Sequence, residues 1–565
     1  MVWHKRTTKH DGEISPEEIL IDARNLPAHE TGALEGKLSR PVRIGLFGPL
    51  TFLLVMTGAV LFGRLLQLMV INGTFYVRLS EQNRLDHVTV PAERGIIYDR
   101  GGRELAWNKP RTIDGRDEGY DARAYATTTG MGHVLGYVRM PVRDVRGSLP
   151  HGGIEGVAGV ELAFDTLLRG EPGVSILETD AGMHVVSQSV YAPPVPGSSI
   201  RLSLDTTLTA LLGEALRDTI ETIGFMGGAG ALMDVHTGEI IALSSYPEYD
   251  PHVLLSGDPE GIGRYATDPH TPYLNRALSG QYTPGSIVKP FIAAAALNEG
   301  VVNEDTTIVS TGELRVENPY VPGSYTVFRD WRAHGPVAVR RALAVSSDVY
   351  FYEVGGGYGD QQGLGITRIG DYLKRFGFGV PTGIALAGEA YGVVPSPEWK
   401  ANTFPDDPTW RLGNTYHTAI GQYGFQATPL QAVRATAAIA NGGLLLTPRV
   451  ETEHTPYGAR SLDIPYAVLE IVRDGMRDAV LEGTAAQLNV PYVAIAAKTG
   501  TAEVGVHKEF VHAWVIGFFP ADAPRYAFAL LLEEGPTGSP RGAPYVMRAF
   551  FDRAHELVPE YFEVK

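Results

Sequence analysis

The chain of 565 residues contains no cysteine. That excludes disulfides, thiolate metal sites and a Cys nucleophile, and it says nothing of the redox compartment. A basic surplus is also missing. With 48 Lys and Arg against 64 Asp and Glu, the formal net charge is -16, so no cationic footprint is available to neutralise phosphates, and a nucleic-acid partner is argued against. No internal repeat is seen. The glycine cluster Gly355-Gly356-Gly357-Tyr358-Gly359 lacks the Gly-Lys-Ser/Thr ending and the preceding strand of a phosphate-binding loop, so it reads as plain loop.

A local absence matters more. No charged residue occurs from Ile44 to Gly63, a run that holds Leu46, Phe47, Leu50, Phe52, Leu53, Leu54, Val55, Met56, Val60, Leu61 and Phe62. About 20 apolar residues suffice to cross a bilayer core as a helix. Lys37, Arg40 and Arg43 precede the run and place residues 1–43 in the cytoplasm as a mobile tail. Arg64 follows it directly, where a long side chain can snorkel to the interface. The preceding stretch is too long for the n-region of a cleaved signal peptide. Residues 44–71 therefore read as a single uncleaved signal anchor, with the rest of the chain exported.

What is present has the composition of a globular protein. Apolar residues make up 44%, and 66 Gly and 38 Pro imply many turns. This length calls for two or three domains plus tails. Leu85–Val90 and Gly95–Tyr98 are strand-like, with a turn at Asp99-Arg100-Gly101-Gly102. Residues 108–131 are polar and rich in Gly and Thr, and read as loop. A boundary falls at Ala192-Pro193-Pro194-Val195-Pro196-Gly197. Beyond it come a strand at Ile200–Leu204, a helix over Thr207–Ile220 and a hairpin of 229–233 with 240–243 around His236-Thr237-Gly238. A helical, loop-rich middle and strands at Ala513–Phe519 and Tyr526–Leu532 complete an α+β pattern.

Chemistry concentrates in three short stretches. In Thr283-Pro284-Gly285-Ser286-Ile287-Val288-Lys289-Pro290 a Pro-Gly pair ends a loop, and Phe291–Leu297 continues as a helix that Gly300 can stop. Ser286 then sits at a helix N-terminus with Lys289 one turn on, on the same face. A serine hydroxyl attacks only when something takes its proton, and a neutral lysine amine can do so. Burial and a second cation both favour the neutral amine, and N-terminal N–H groups suit a developing oxyanion. Pro290 removes the amide that would bond the Ser286 carbonyl, so this turn is expected to be irregular. Alone, Ser-x-x-Lys is weak, since roughly one chance match is expected in such a chain.

The second stretch is Ser346-Ser347-Asp348, wedged between apolar runs. It serves either as a helix N-cap or as a cleft element in which Ser346 relays a proton and Asp348 accepts hydrogen bonds from Lys289 or substrate. The third is Lys498-Thr499-Gly500-Thr501 after Val493–Ala497, a strand edge that can lie beside a peptide and hold its C-terminal carboxylate. Ser346 lies 60 residues after Ser286, and Lys498 follows 152 residues later. In this order the three resemble the catalytic motifs of penicillin-binding proteins and class A β-lactamases.

At this point the chain resembles a class B penicillin-binding protein of the elongation type, over almost everything after residue 43. Pro91–Gly102, Gly132-His133-Val134-Leu135-Gly136-Tyr137 and Gly159-Val160-Glu161 are similar to the family's pedestal signatures. Pro395-Ser396-Pro397-Glu398-Trp399-Lys400, Ile420-Gly421-Gln422 and Thr428-Pro429-Leu430-Gln431 resemble elongation-type members more than septal ones. The resemblance implies a penicillin-binding/β-lactamase-like transpeptidase domain over residues 197–565, a helical subdomain plus a five-stranded antiparallel sheet. A β-rich pedestal of the dimerisation type over 72–196 and the anchor over 44–71 precede it. It implies Ser286 as acylated nucleophile, Lys289 as its base, and Ser346 with Asp348 as second element. Lys498 and Thr499 would meet the substrate carboxylate within a Thr499-Gly500-Thr501 binding edge, with Thr501 and Ser286 giving oxyanion amides. Peptidoglycan stem peptides, covalently bound β-lactams, the membrane and a polytopic SEDS-family glycan polymerase are the implied partners. No metal or organic cofactor is implied; His507 and His512, without carboxylate or Cys company, read as structural. Two departures stand out: Asp348 replaces the Asn of most of the superfamily, and the stretch from Asn108 to Gly132 is much shorter than the usual head. The rival readings are a D,D-carboxypeptidase or β-lactamase of the same fold, and a non-catalytic wall-synthesis scaffold.

Overall fold

The computed structural model describes residues 45, 47–113, 116–141, 153–179, 185–318, 321–452, 455–505, 507–539 and 541–563. The tail read over residues 1–43 lies outside the described residues, as do Ile44 and Leu46 of the apolar run. The chain forms two bodies, Met1–Asp86 with Glu178–His184, and His87–Leu177 with Val185–Lys565.

In the first body, helix Phe47–Leu66 continues through a π-helical turn, Gln67–Ile71, and is followed by helix Gly73–Arg84. The apolar stretch of 25 residues is exposed. At ~1.5 Å per residue it spans roughly 37 Å, enough for a bilayer core of ~30 Å. Arg64, its single charged residue, donates from Nη1 to Gln67 Oε1 at 2.7 Å. One long apolar helix of this kind fits single-pass membrane anchoring.

The second body opens with a four-stranded sheet in the order Arg116–Tyr125, Glu104–Ile113, Ile97–Tyr98, Ile200–Arg201. The expected turn at Asp99–Gly102 is present. The loop expected over 108–131 is largely a strand pair instead, in register from Ala106↔Tyr125 to Ile113↔Arg116. Backbone pairing overrides a polar, strand-poor sequence here. Glu161, on helix Gly159–Ala163, anchors the pair from behind. Its buried carboxylate takes Arg94 Nε at 2.6 Å and Arg123 Nε at 2.7 Å. Asp99 and Arg100 reach the catalytic domain, through Thr206 Oγ1 at 2.7 Å and Glu239 Oε2 at 2.7 Å respectively.

The catalytic domain is built on a five-stranded antiparallel sheet, ordered Ile240–Tyr246, Gly227–Asp234, Tyr526–Pro536, Phe510–Phe519, Ala496–Val504. Alternate residues of its strands enter two separate cores. Phe528, Leu530 and Leu532 pack with helices Thr206–Ile223 and Ala543–Leu557, whereas Ala527, Ala529 and Leu531 join the core under helix Pro429–Ala440. Both faces are covered, which is why the strands are apolar throughout rather than alternating.

Local sequence sets the helix ends. Asp205 Oδ1 accepts the Leu208 N–H at 3.0 Å, and Gly224 takes φ +89° at the far end. Thr428 and Gln431 exchange side-chain and backbone hydrogen bonds at 3.1 Å around Pro429, so the Thr-Pro-Leu-Gln motif is a capping box. The glycines Gly355 and Gly356, expected in a loop, close helix Asp348–Gly356. A Cβ on Gly355 would lie 2.5 Å from that of Ala419, so close helix packing requires the absence of a side chain.

Candidate active site

The turn that carries Ser286 is shaped by its Pro-Gly pair. Gly285 has φ +58°, and a Cβ there would sit 2.8 Å from the Thr501 carbonyl. The Gly285 N–H donates to Gly421 O at 2.9 Å, which gives the Ile420-Gly421-Gln422 motif its place. Residues Gly285–Val288 form a 3₁₀ turn, and the Lys289 N–H closes it on the Ser286 carbonyl. This is the irregular turn expected from Pro290, since an i→i+3 bond replaces the α-helical one that proline cannot make. Helix Lys289–Asn298 then runs into the core, ahead of Gly300 at φ +65°.

Lys289 is fully buried. Its Nζ donates to Asp348 Oδ1 at 2.6 Å, to the Ser346 carbonyl at 2.8 Å and to Ser346 Oγ at 3.3 Å. No side-chain hydrogen bond joins it to Ser286 among the described residues, because all three of its hydrogen bonds go to the second motif.

That motif takes both readings left open by the sequence. Ser347 is the N-cap of helix Asp348–Gly356, its side chain accepting from the Tyr350 N–H. Ser346 and Asp348, on either side, face the cleft. Ser346 ends helix Val339–Val345 in the left-handed region, at φ 59° and ψ 43°. A non-glycine residue there costs about 1–3 kcal/mol and persists only when its surroundings hold it.

Lys498 lies on the outer strand of the sheet and is also fully buried. Its Nζ reaches Ser346 Oγ at 2.8 Å and the Thr499 carbonyl at 2.9 Å. Burial, and then the Lys289 charge, hold its ammonium well below the usual lysine range. The Ser346 hydroxyl thus sits between the two amines, 3.3 Å from Lys289 Nζ and 2.8 Å from Lys498 Nζ.

Above these groups is a cleft of about 600 Å³, lined by Ser286, Ser346, Asp348, Thr499, Gly500 and Thr501. Lys289 and Lys498 lie behind this lining, not in it. Thr499 Oγ1 is bonded to Thr484 Oγ1 at 2.7 Å. Thr484 and Trp331 also line the cleft, and the sequence reading missed both. Trp331 follows the unanticipated hairpin Glu313–Glu317/Tyr325–Arg329, and its Nε1 donates to Val345 O at 3.2 Å. Neither residue belongs to a spaced motif. His512 Nδ1 accepts the Glu534 N–H at 3.1 Å and its ring packs edge-on to Tyr282; burial pushes it down to about 4.

Two family descriptions match the chain: "Penicillin binding protein transpeptidase domain" over residues 228–551 and "Penicillin-binding Protein dimerisation domain" over residues 118–202. The chain belongs to the penicillin-binding protein transpeptidase family. It is 29% identical over 612 residues to the peptidoglycan D,D-transpeptidase MrdA of Escherichia coli strain K12, covering 88% of this chain and 92% of that one. PBP2 of Helicobacter pylori, solved in complex with MreC, is similar at a TM-score of 0.69 and 26% identity, over 84% of this chain and 100% of that one. A chain from a peptidoglycan synthase complex, solved to show how polymerization and crosslinking are coordinated, matches at a TM-score of 0.70 and 28% identity. Here 91% of this chain and 99% of that one are covered. Within the family, this is a class B, elongation-type member and a serine-type D,D-transpeptidase.

Proposed function

We propose that the chain cross-links peptidoglycan stem peptides during cell elongation through an acyl-enzyme on Ser286. The observation that carries this is the Ser346 hydroxyl held between Lys289 and Lys498 at the floor of a cleft that Ser286 lines. Ser286 Oγ attacks the penultimate D-Ala carbonyl, and its proton passes to the amine of Lys289. For this, Lys289 acts as the neutral amine and turns its lone pair from Ser346 toward Ser286, one helical turn away. The carbonyl oxygen takes the charge and is met by the backbone N–H groups of Ser286 and Thr501, which the Gly285–Thr501 approach supports. The same proton returns to the departing nitrogen, releasing terminal D-Ala. An amine of a neighbouring stem peptide then attacks the ester and restores Ser286.

Thr499 Oγ1, steadied by Thr484, faces the site where a substrate carboxylate would lie. Lys498 acts on that carboxylate through Ser346, because its Nζ is enclosed. β-Lactams enter as covalent mimics of the D-Ala-D-Ala terminus. The Phe47–Ile71 helix anchors the protein with its N-terminus cytoplasmic and the catalytic domain outside. A polytopic SEDS-family glycan polymerase is the proposed membrane partner, and an MreC-type protein a second. The relatives solved in a synthase complex and with MreC support both.

Incubation with lipid-linked pentapeptide precursor and a glycan polymerase should yield dimeric muropeptides by mass spectrometry. Release of D-Ala without dimers would make the protein a carboxypeptidase. A fluorescent penicillin should label the wild-type protein and not Ser286→Ala; labelling that persists in the variant would remove Ser286 as the nucleophile.

A further inference from the structure

Asp330 belongs to none of the three motifs, yet its carboxylate holds the second one. It follows strand Tyr325–Arg329, and its side chain is 0% exposed. Oδ2 accepts from Ser347 Oγ at 2.8 Å, from the Val349 N–H at 3.0 Å and from Ser310 Oγ at 3.1 Å. Oδ1 accepts the Trp331 N–H at 2.8 Å. Two of these four donors flank Asp348 directly. Burial opposes the charge, but the Val349 amide, the Ser347 hydroxyl and the Asp348 amide together hold the carboxyl below its usual range.

The turn it holds needs such support. Ser346 stands in the left-handed region without being glycine, in the two-residue turn with Ser347 between helices Val339–Val345 and Asp348–Gly356. An uncompensated residue of this kind would relax, and Ser346 Oγ would leave the two lysines. We propose that Asp330 is a positioning residue, whose buried carboxylate clamps the Ser346–Asp348 turn so that Ser346 meets both Lys289 and Lys498 and Asp348 meets Lys289. This rests on the reading of Ser286 as the acylated nucleophile. Asp330 does not line the cleft, so it acts only through the groups that do. Through the Trp331 N–H the same carboxylate also sets the base of an aromatic wall, where the Arg332 guanidinium lies 4.4 Å from the Trp331 ring centroid.

Asp330→Asn keeps the shape but turns one acceptor into a donor, so some N–H or O–H of the set must face another donor. The test is rapid-mixing acylation of the full-length protein by a fluorescent penicillin, separating active fraction, noncovalent affinity and limiting acylation rate. We expect the rate per titrated site to fall about ten-fold or more, with affinity within about two-fold, as for a displaced catalytic group. A role in folding alone would lower the active fraction and leave that rate unchanged. Should Asp330→Asn not fold, Ser347→Ala removes one donor to the carboxylate and should still slow acylation about three-fold. Wild-type rates in every folded variant would overturn the clamp. A wild-type protein that is not acylated at all would remove the parent reading, and the clamp with it.

Discussion

Lys498 Nζ and Ser346 Oγ meet at 2.8 Å although 152 residues separate them in the chain. Ser346 Oγ is simultaneously 3.3 Å from Lys289 Nζ. One hydroxyl therefore joins the edge strand of the sheet to the first turn of the catalytic helix. Two buried lysines so close together repel when both are charged, and among the described residues Asp348 is the one carboxylate that bonds directly to either of them. Burial and the Lys289 charge both press Lys498, enclosed and without a carboxylate of its own, toward its neutral form.

A pH-dependent stability follows from that shift. The unfolded chain holds the Lys498 proton up to the ordinary lysine value of 10.5, whereas the folded chain releases it at a lower pH. Between those values the unfolded state binds more protons, so stability rises with pH; below the folded value this dependence is absent. Subtracting the urea-denaturation curve of Lys498→Met from that of the wild type, pH by pH, should leave a difference that grows toward 10.5. A flat difference would mean that Lys498 is charged in the folded protein. The same variant should acylate about a hundred-fold more slowly or worse.

Ser346 allows backbone and side-chain effects to be separated. Ser346→Ala and Ser346→Gly both lose the hydroxyl shared by the two lysines, and acylation by penicillin should fall about 10²-fold or more in each. Glycine alone is at ease at φ 59°. The Gly variant should therefore be more stable than the Ala variant by about 1 kcal/mol, measured by chemical denaturation. Equal stabilities would show that the left-handed turn carries no strain.

The parts of this site visible in the sequence are those whose chemistry is local. Ser-x-x-Lys at a helix start, Ser-x-Asp between apolar runs and Lys-Thr-Gly at a strand edge each follow from spacing. The anchor, the apolar strands and the helix over residues 206–223 were equally plain, because composition and period mark them. What escaped depends on tertiary partners. The pair Glu104–Ile113 and Arg116–Tyr125 has a polar sequence and is held by register and by Glu161 behind it. Asp330 looked like any acid beside a tryptophan; only folding aims four donors at it. The Lys289–Asp348 contact was among the readings the sequence offered, but spacing did not reveal that Lys289 would turn to the second motif rather than to Ser286.

Gly285 is the position where the Ser286 turn and the third motif touch. Gly285→Ala adds a Cβ 2.8 Å from the Thr501 carbonyl and requires φ +58° of an alanine. Backbone on one side and a 3₁₀ turn on the other leave little room to yield. The variant should lose at least ~1–2 kcal/mol of stability, and Ser286 should be pushed from the Thr501 edge. Acylation should slow more than stability alone accounts for, when rates are normalised to the folded fraction. An unchanged normalised rate would mean that the oxyanion site does not depend on this approach.

The pedestal offers the converse case, a large stability effect without a catalytic one. Both oxygens of Glu161 are spent on buried guanidinium groups, Arg94 at 2.6 Å and Arg123 at 2.7 Å. Asp165 adds a second contact to Arg94 at 2.8 Å but none to Arg123. Glu161→Ala thus leaves Arg123 buried without its carboxylate, and breaking such a pair costs about 3–5 kcal/mol. Exchanging the pair for apolar residues of similar volume, as in Glu161→Leu with Arg123→Met, should recover much of that loss. Because neither residue approaches the cleft, acylation per folded molecule should stay at the wild-type rate in both variants. A drop in that normalised rate would show instead that the pedestal's ion cluster is coupled to Ser286, by the route that Arg100 and Glu239 provide at 2.7 Å.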